Sequence, residues 1–338
     1  MTSARNRSPR PEGELVDLAI RHYELGERID ALAADRGVEQ STIRRWLSRA
    51  RKEGVVQTLV VPPLSDEERT TLRQDVRYTF QLEDVVLVPG REDFLDISDE
   101  TAPKEAMTLS IAQAAARYLE DHLINQDNLI VPWGRMSNYI ARQIKARRPL
   151  PGLTVGPMVG VLGVEYDPFE ANILASTVAS KFGGHSLLLP APAVVDRKVA
   201  AVVEDMPLVR RVMEFYREAT VAIVPIASPD PERSTVVRAG LLDPSQVRDL
   251  VARGAVGEIA SHWWFDASGQ VVEQTAAHAI GLGLEGLSEM VERRAKVVAV
   301  VGASRERVSP LRVALNHRLI NVLITDHVTA QLLVSRER

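Results

Sequence analysis

Between Gln40 and Lys52 the chain reads QSTIRRWLSRARK, five cations with no carboxylate among them. Ile43, Leu47 and Ala50 recur at helical spacing and form a buried side, which leaves Gln40, Ser41, Thr42, Arg44, Arg45, Ser48, Arg49, Arg51 and Lys52 on or beside the other. A merely solvated helix mixes charge signs to gain i,i+4 pairs. This one gathers cations behind short hydrogen-bonding side chains at its N-terminal end, which is the chemistry of a DNA reader. Arg44 and Arg45 are placed for base edges beside Gln40, Ser41 and Thr42, while Arg49 and Lys52 act on phosphates. A second stretch, Leu129 to Asn138 (LIVPWGRMSN), runs from an apolar strand through a glycine turn into a helix start carrying Arg135, Ser137 and Asn138. Such a turn presents backbone amides and the positive end of a helix dipole to an anion, so it is a candidate phosphate cradle, with an ordinary strand-to-helix turn as the alternative. Trp133 fits a core position equally well.

Other chemistries find little support. Zero cysteines exclude disulfides, thiolate metal sites and cysteine nucleophiles, and the histidines show no H-E-x-x-H spacing. No metal site, cofactor or catalytic residue is assigned. Glu258 and Asp266 flank His262, Trp263 and Trp264; the carboxylates fit surface positions or caps as well as a binding site, and the aromatic pair fits a core or an interface.

These residues need elements to hold them. Arg28 to Gly54 predicts two short helices and one corner: Ile29, Leu32 and Ala33 stripe the first, Gly37 accepts the left-handed backbone of the turn, Val38 plugs the angle, and the second helix starts near Gln40. A preceding helix from Glu14 to Leu25 packs beneath the pair through Leu15, Leu18, Ala19 and Tyr23. Met1 to Gly13 reads as a disordered basic arm, Val55 to Val61 as a short closing strand, and Pro62-Pro63 as a boundary. Ser65 to Glu68 is a capping box opening a helix toward Phe80. Strands then alternate with helices: strands at Asp84 to Val88, Asn128 to Val131, Leu153 to Val159, Ser186 to Leu189, Val221 to Ile226, Lys296 to Val301 and Asn321 to Thr325. The intervening helices are placed at Lys104 to His122, Arg135 to Arg147, Phe169 to Phe182, Leu208 to Glu218 and Arg305 to Leu315, with a last one at His327 to Leu333. That alternation predicts an α/β fold with a parallel sheet covered on both faces, whose ligands sit beyond the carboxyl ends of the strands.

A chain of 338 residues accommodates a small domain and a large one, here 1–61 and 62–338. The small part up to Glu53 carries eleven basic and nine acidic residues against thirty and thirty-six beyond it, so the N-terminal part is the one suited to a polyanion. No apolar run reaches membrane-spanning length and no signal peptide opens the chain, so a cytoplasmic protein without a membrane partner is expected.

Four separated segments resemble one family in the right order. The Gly37 to Val56 region ends in RARKEGVV, close to the recurrent ending of the helix-turn-helix of SorC/DeoR-class sugar-binding transcriptional regulators. Trp133-Gly134-Arg135 resembles the S-W-G-R-T loop of that family. Ala171-Asn172 with Phe182-Gly183-Gly184 resembles its A-N…L-G-G helix, followed by Leu189-Pro190-Ala191-Pro192. The most specific match is LINVLITD from Leu319 to Asp326, with Thr329-Ala330 after it. The resemblance covers about Arg28 to Leu333. It implies a repressor or activator with an N-terminal helix-turn-helix domain and a large Rossmann-like effector domain, similar in fold to sugar-phosphate isomerases and deaminases. It also implies phosphorylated sugars or polyols as effectors, and tetramers.

Carried over residue by residue, the resemblance implies an effector site made of Gly134, Arg135, Ser137, Asn172, Glu258, Asp266 and Arg307. Departures accompany it: Pro132 and Met136 stand where serine and threonine are usual, Val224 to Ser228 replaces a glycine-rich turn, Arg307 stands near a lysine, and Asn316-His317-Arg318 replaces Arg-Gly-Gly. The reading is a non-enzymatic regulator of a carbohydrate catabolic operon that binds operator DNA and a phosphorylated sugar or sugar alcohol. Because one small helix-turn-helix unit reads few base pairs, a homo-oligomer, dimer or tetramer, is expected. Two rivals stand beside it: a sugar-phosphate isomerase or deaminase with an appended helical domain, and a regulator that has lost its ligand.

Overall fold

The chain divides into two units, Met1–Val60 and Val61–Arg338, and a computed structural model describes residues 13–24, 27–53, 55–56, 64–96, 101–162, 167, 169–260, 262–273, 277–302 and 304–335. The basic arm before Gly13, most of the strand expected at Val55 to Val61, and Pro62-Pro63 lie outside the described residues.

In the first unit α1 (Gly13–Ala19) runs into a π-helical turn (Ile20–Glu24) and is followed by α2 (Ile29–Arg36) and α3 (Gln40–Lys52). Gly37 ends α2 at φ 62°, a left-handed conformation that glycine adopts without Cβ strain, and the Val38 amide closes the cap on the Ala33 carbonyl at 3.0 Å. Leu15 and Leu18 of α1, Leu32 and Ala33 of α2, and Ile43, Trp46 and Leu47 of α3 form one core, with Ile29 and Val38 packed against it. Ile43 is fully buried there, so Ile43→Ala would cost about 2–5 kcal/mol. Tyr23, expected in the buried stripe, is instead 41% exposed: the π turn adds a residue per turn and rotates the tyrosine off the core face. Trp46 is buried in the same core.

The second unit opens with α4 (Asp66–Phe80), whose Ser65 Oγ accepts from the Glu68 amide while Glu68 reaches back to the Ser65 amide at 3.0 Å, the expected capping box. In chain order there follow β1 (Asp84–Val88), α5 (Ala102–His122), β2 (Asn128–Val131), α6 (Arg135–Gln143), β3 (Thr154–Pro157), α7 (Ala171–Phe182) and β4 (His185–Ser186). Next come β5 (Val194–Asp196), α8 (Arg197–Glu204), α9 (Pro207–Arg217), β6 (Val221–Val224), β7 (Ile226–Ala227), α10 (Thr235–Arg238) and α11 (Pro244–Ala252). The chain ends with β8 (Ala255–Ile259), β9 (Trp263–Asp266), β10 (Ala277–Ala279), α12 (Leu284–Glu292), β11 (Lys296–Val300), α13 (Arg305–Asn316), β12 (Val322–Asp326) and α14 (His327–Val334). No helix among the described residues is long and apolar enough to cross a membrane.

Seven strands form one parallel sheet in the order β1-β12-β11-β6-β2-β3-β4. Every residue of β6 and β12 is buried, as a sheet covered on both faces requires. The expected single strand from Val221 to Ile226 is split. Pro225 has no N–H to continue the ladder, so β6 stops at Val224, and Ile226–Ala227 joins β8 and β9 in a separate antiparallel sheet. That sheet, the β5–β10 pair and helices α8, α10, α11 and α12 are not anticipated by the alternation pattern. From β2 the chain moves outward to β3 and β4, then returns to β6 on the other side of β2. The order therefore reverses between β2 and β6, where doubly wound sheets open a crevice.

Candidate functional site

The β2–β6 pairing reaches Ile130–Ala222, and beyond it a cavity of about 160 Å³ opens, lined by residues that follow β2, β6 and β11. It is smaller than the roughly 300–1,000 Å³ of sites for drug-sized ligands. From β2 come Pro132, Trp133 and the start of α6. Gly134 caps that helix at φ 108°, a conformation open to glycine, and a Cβ there would meet nothing within 4 Å among the described residues. The backbone angle fixes the glycine, and the space beside it is vacant. Its own amide donates to the Phe169 carbonyl at 2.8 Å. The anion-facing donors of the turn are therefore the amides of Arg135, Met136 and Ser137, which precede the first possible intrahelical bond.

Three arginines reach this cavity: Arg135 from α6, Arg238 from α10 and Arg307 from the first turn of α13. Glu258 of β8, 5% exposed, supplies a carboxylate. Its position is set by packing: at Gly257 beside it, a Cβ would lie 2.5 Å from both Phe265 and Pro310, so a side chain there would push β8 off its neighbours. Ser137 is buried at the start of α6, and Thr108 of α5 and Thr235 of α10 complete the polar lining. The rest of the wall is apolar, with Trp133 also anchored in a cluster with Val159, Ala171 and Val236. Five of the seven residues assigned to this site from sequence, Gly134, Arg135, Ser137, Glu258 and Arg307, come together here.

Asn172 and Asp266 do not. Asn172 is buried at the start of α7, where its side-chain amide donates to Glu170 Oε1 at 3.0 Å and its oxygen accepts from the Leu189 amide at 2.8 Å. That ties the helix to the Leu189-Pro190 segment, which is why an amide is needed on an otherwise apolar helix start. Asp266 Oδ1 accepts from the Ser268 amide (2.9 Å), the Ser268 hydroxyl (2.7 Å) and the Gln270 amide (3.0 Å), closing the turn after β9. Those hydrogen bonds hold its carboxyl below the usual aspartate range, Ser268 contributing most. Both are scaffold. Conversely, Thr108, Thr235 and Arg238 were not singled out from sequence: Thr235 and Arg238 lie on a four-residue helix too short to show periodicity.

His262 lies elsewhere, beside a second cavity lined by Arg197, Glu204, Trp263 and His278. Burial pushes its pKa down to about 4, so it is neutral at pH 7. Among the described residues no group of three or more His, Cys, Asp or Glu is placed to hold a metal ion.

In the first unit, Gln40, Ser41, Arg44, Arg45, Arg49 and Lys52 are exposed along α3 and Thr42 is half-exposed. Arg49 pairs with Glu53 at 2.6 Å, and the Arg51 guanidinium lies 5.4 Å from the Tyr23 ring. Ser41 donates to Glu39 at 3.1 Å.

Comparison with known proteins bears on both regions. Residues 65–335 match the model of the sugar-binding domain family Sugar-bind. The chain is 25% identical over 322 residues to the deoxyribonucleoside regulator of Bacillus subtilis (strain 168), covering 95% of this chain and 96% of that one. It is 24% identical over 324 residues to the sorbitol operon regulator of Klebsiella pneumoniae, covering 95% and 97%. Among solved structures, the full-length sorbitol operon regulator SorC from Klebsiella pneumoniae aligns over 95% of this chain and 98% of its own, with a TM-score of 0.68 at 21% identity. A DeoR family transcriptional regulator from Listeria monocytogenes aligns over 78% and 99%, with a TM-score of 0.66 at 25% identity.

Proposed function

The chain belongs to the Sugar-bind family and is a SorC/DeoR-class transcriptional regulator with a sugar-binding domain; from that premise we propose that α3 reads operator DNA and that the cavity beyond β2, β6 and β11 holds a phosphorylated sugar or sugar alcohol. The observation that carries the effector site is the convergence of Arg135, Arg238 and Arg307 with buried Glu258 around the open start of α6. A phosphate there takes the amides of Arg135, Met136 and Ser137 and the helix dipole, with guanidinium groups adding charge-assisted bonds. Glu258 accepts from a hydroxyl at the other end.

For the first unit, α2, the Gly37 corner and α3 serve as a helix-turn-helix, with the exposed Gln40-Ser41-Thr42 and Arg44-Arg45 at the base edges and Lys52 at the backbone. Arg49 exchanges Glu53 for a phosphate. Residues 1–61 and 62–338 act as DNA-binding and effector domains, and homo-oligomers, dimers or tetramers, span a two-fold operator in the cytoplasm, controlling a carbohydrate catabolic operon. An isomerase-like activity would need a general base and a partner acid at the ligand. Among the described lining residues Glu258 is the one carboxylate, and Asp266 is hydrogen-bonded within its turn, so regulation is the reading the geometry favours.

The test uses the full chain and a duplex selected from a random DNA pool. A gel-shift titration with phosphorylated tetroses, pentoses, hexoses and polyols should find one that changes DNA affinity at least tenfold. No selected duplex, or a duplex indifferent to every phosphate ester, would remove the proposal.

A further inference from the structure

The outward face of α8 is apolar where a solvated helix would carry charge. Its inner side is fixed: Ala200 is buried and Val203 packs against the main core of the second unit. On the other side Lys198, Ala201, Val202 and Asp205 follow one another at i, i+3, i+4 and i+7, one helix face, and all four are exposed. Val202 is 69% exposed, and Val199, Met206 and Leu208 flank it at 46%, 52% and 67%. Single apolar side chains scattered over a surface are ordinary. Four within ten residues form a patch, running from α8 into the first turn of α9, and such patches mark contact surfaces.

Charge shows what covers the patch. Arg197 and Lys198 open α8, and Glu204 and Asp205 close it. Beyond the N-cap Asp196 these charges oppose the helix dipole, which favours carboxylates at the N-terminus and cations at the C-terminus. Arg197 and Glu204 are engaged within the chain, with Glu273 at 2.9 Å and His278 at 3.0 Å. Lys198 and Asp205 lie on the outward face, where Asp205 is 80% exposed and its pair with Arg210 is 3.7 Å long. A helix face with a cation at one end, a carboxylate at the other and Ala201-Val202 between them is complementary to its own copy in the antiparallel sense. Rotation by a half turn about the point between Ala201 and Val202 sets Lys198 opposite Asp205 of the partner subunit and Val202 opposite Ala201 of the partner subunit. It also brings each carboxylate end to the positive end of the other helix dipole. The small Ala201 leaves room for the valine, so the axes can reach the separation of about 8–10 Å of packed helices.

We propose that α8 is the centre of a two-fold contact between two copies of this chain, with Val202 packed at the axis and the Lys198 and Asp205 charges paired across it. This rests on the homo-oligomer reading and specifies the surface that builds it. The eight residues of α8 span only about 12 Å. Met206 and Leu208 therefore widen the contact toward the roughly 800 Å² per partner of a stable interface.

Sedimentation of the full chain at micromolar concentration tests the contact by charge reversal. The parent should be a dimer or a larger even-numbered assembly. Lys198→Glu sets carboxylate against carboxylate and Asp205→Lys sets cation against cation, twice each by symmetry, so either variant alone should associate at least tenfold more weakly. An equimolar mixture of the two should recover the parent affinity, because every mixed pair is again of opposite sign. Val202→Asp, a change at a position exposed in the single chain, should halve the parent assembly while the far-ultraviolet circular dichroism stays the same. A parent that sediments as a monomer overturns the inference and the homo-oligomer reading together. An oligomeric parent whose size survives Val202→Asp, or a mixture that associates no better than the single variants, overturns the inference and leaves the homo-oligomer reading standing on another face.

Discussion

Helix α3 and the cavity at the start of α6 both set arginines against an anion, and they do it in opposite ways. On α3 the cations lie side by side on one exposed face of a single helix. In the cavity they arrive singly from α6, α10 and α13, around a buried glutamate and a mostly apolar wall. Exposed charges act through high dielectric and are screened within about 8–10 Å at physiological salt, so an α3-type surface needs many of them and gains a partner through number. In the cavity Arg135 and Arg238 are themselves exposed and Arg307 half-buried, so that site gains a partner through convergence on one small volume beside buried Glu258 rather than through number. The first arrangement suits a long polyanion, the second a small one.

The sharpest way to break this comparison is Gly134→Asp. The φ of 108° strains any side chain, and the new carboxylate would project into the vacant space beside the α6 amides. Phosphate-ester binding should fall below detection by calorimetry while α3 keeps its DNA affinity; unchanged ester affinity would move the site elsewhere. Salt separates the two regions next. If the protein places six or more cations on phosphates, raising salt from 50 to 200 mM should weaken DNA binding by about a thousandfold, whereas ester binding in the cavity should change far less. Equal slopes in the two titrations would mean that the cavity is as open to solvent as α3.

The same contrast explains what was legible in the sequence. α3 and its corner are local, so the i, i+3, i+4 stripe, Gly37 and the unbroken cation run were enough to place a helix starting near Gln40, where α3 begins. Most central strands were legible because they are apolar runs long enough to bury; β4 was not, since the strand expected at Ser186 to Leu189 is instead the exposed pair His185–Ser186. The small antiparallel sheet was not, because Pro225 hides a change of sheet inside what reads as one strand, and β7 is only two residues long. The site was legible at Gly134 to Ser137, where one segment carries it, and at Glu258 and Arg307 through the family resemblance; Arg238 and Thr108 gain meaning only from folding. The most family-specific stretch is architectural. Asn321 bridges to the Val297 amide and the Ala295 carbonyl at 2.7 Å each, and Asp326 caps α14 through the Thr329 amide at 3.0 Å. A motif can identify a fold without lining a cavity, as Asn172 does in tying α7 to the Leu189 amide.

Smaller effects sharpen the α3 side. Arg44→Ala and Arg45→Ala should each cost about 1–3 kcal/mol of operator affinity if the side chain reads a base edge. Arg49→Ala should cost less, because Arg49 must first give up Glu53. A double Arg44/Arg45 alanine variant that binds the selected duplex like the parent in gel-shift titration would remove α3 as the reader.

The smallest effect distinguishes scaffold from site within the effector domain. Asp266→Ala deletes the acceptor of three hydrogen bonds in an exposed turn, at Ser268 and Gln270, and should cost about 1 kcal/mol, or about 2–4 °C in melting temperature. Because the native carboxyl is held below its unfolded value, its stabilising contribution is present above the unfolded pKa of about 4 and is lost as the pH falls through the lowered folded value. Parent and variant should therefore differ at pH 7 and converge in acid. Phosphate-ester affinity should be unchanged, since Asp266 lies outside the cavity lining, whereas Glu258→Gln should weaken it. A loss of ester affinity in Asp266→Ala matching that in Glu258→Gln, with little change in melting temperature, would return Asp266 to the ligand and undo the separation drawn between the β9 turn and the cavity.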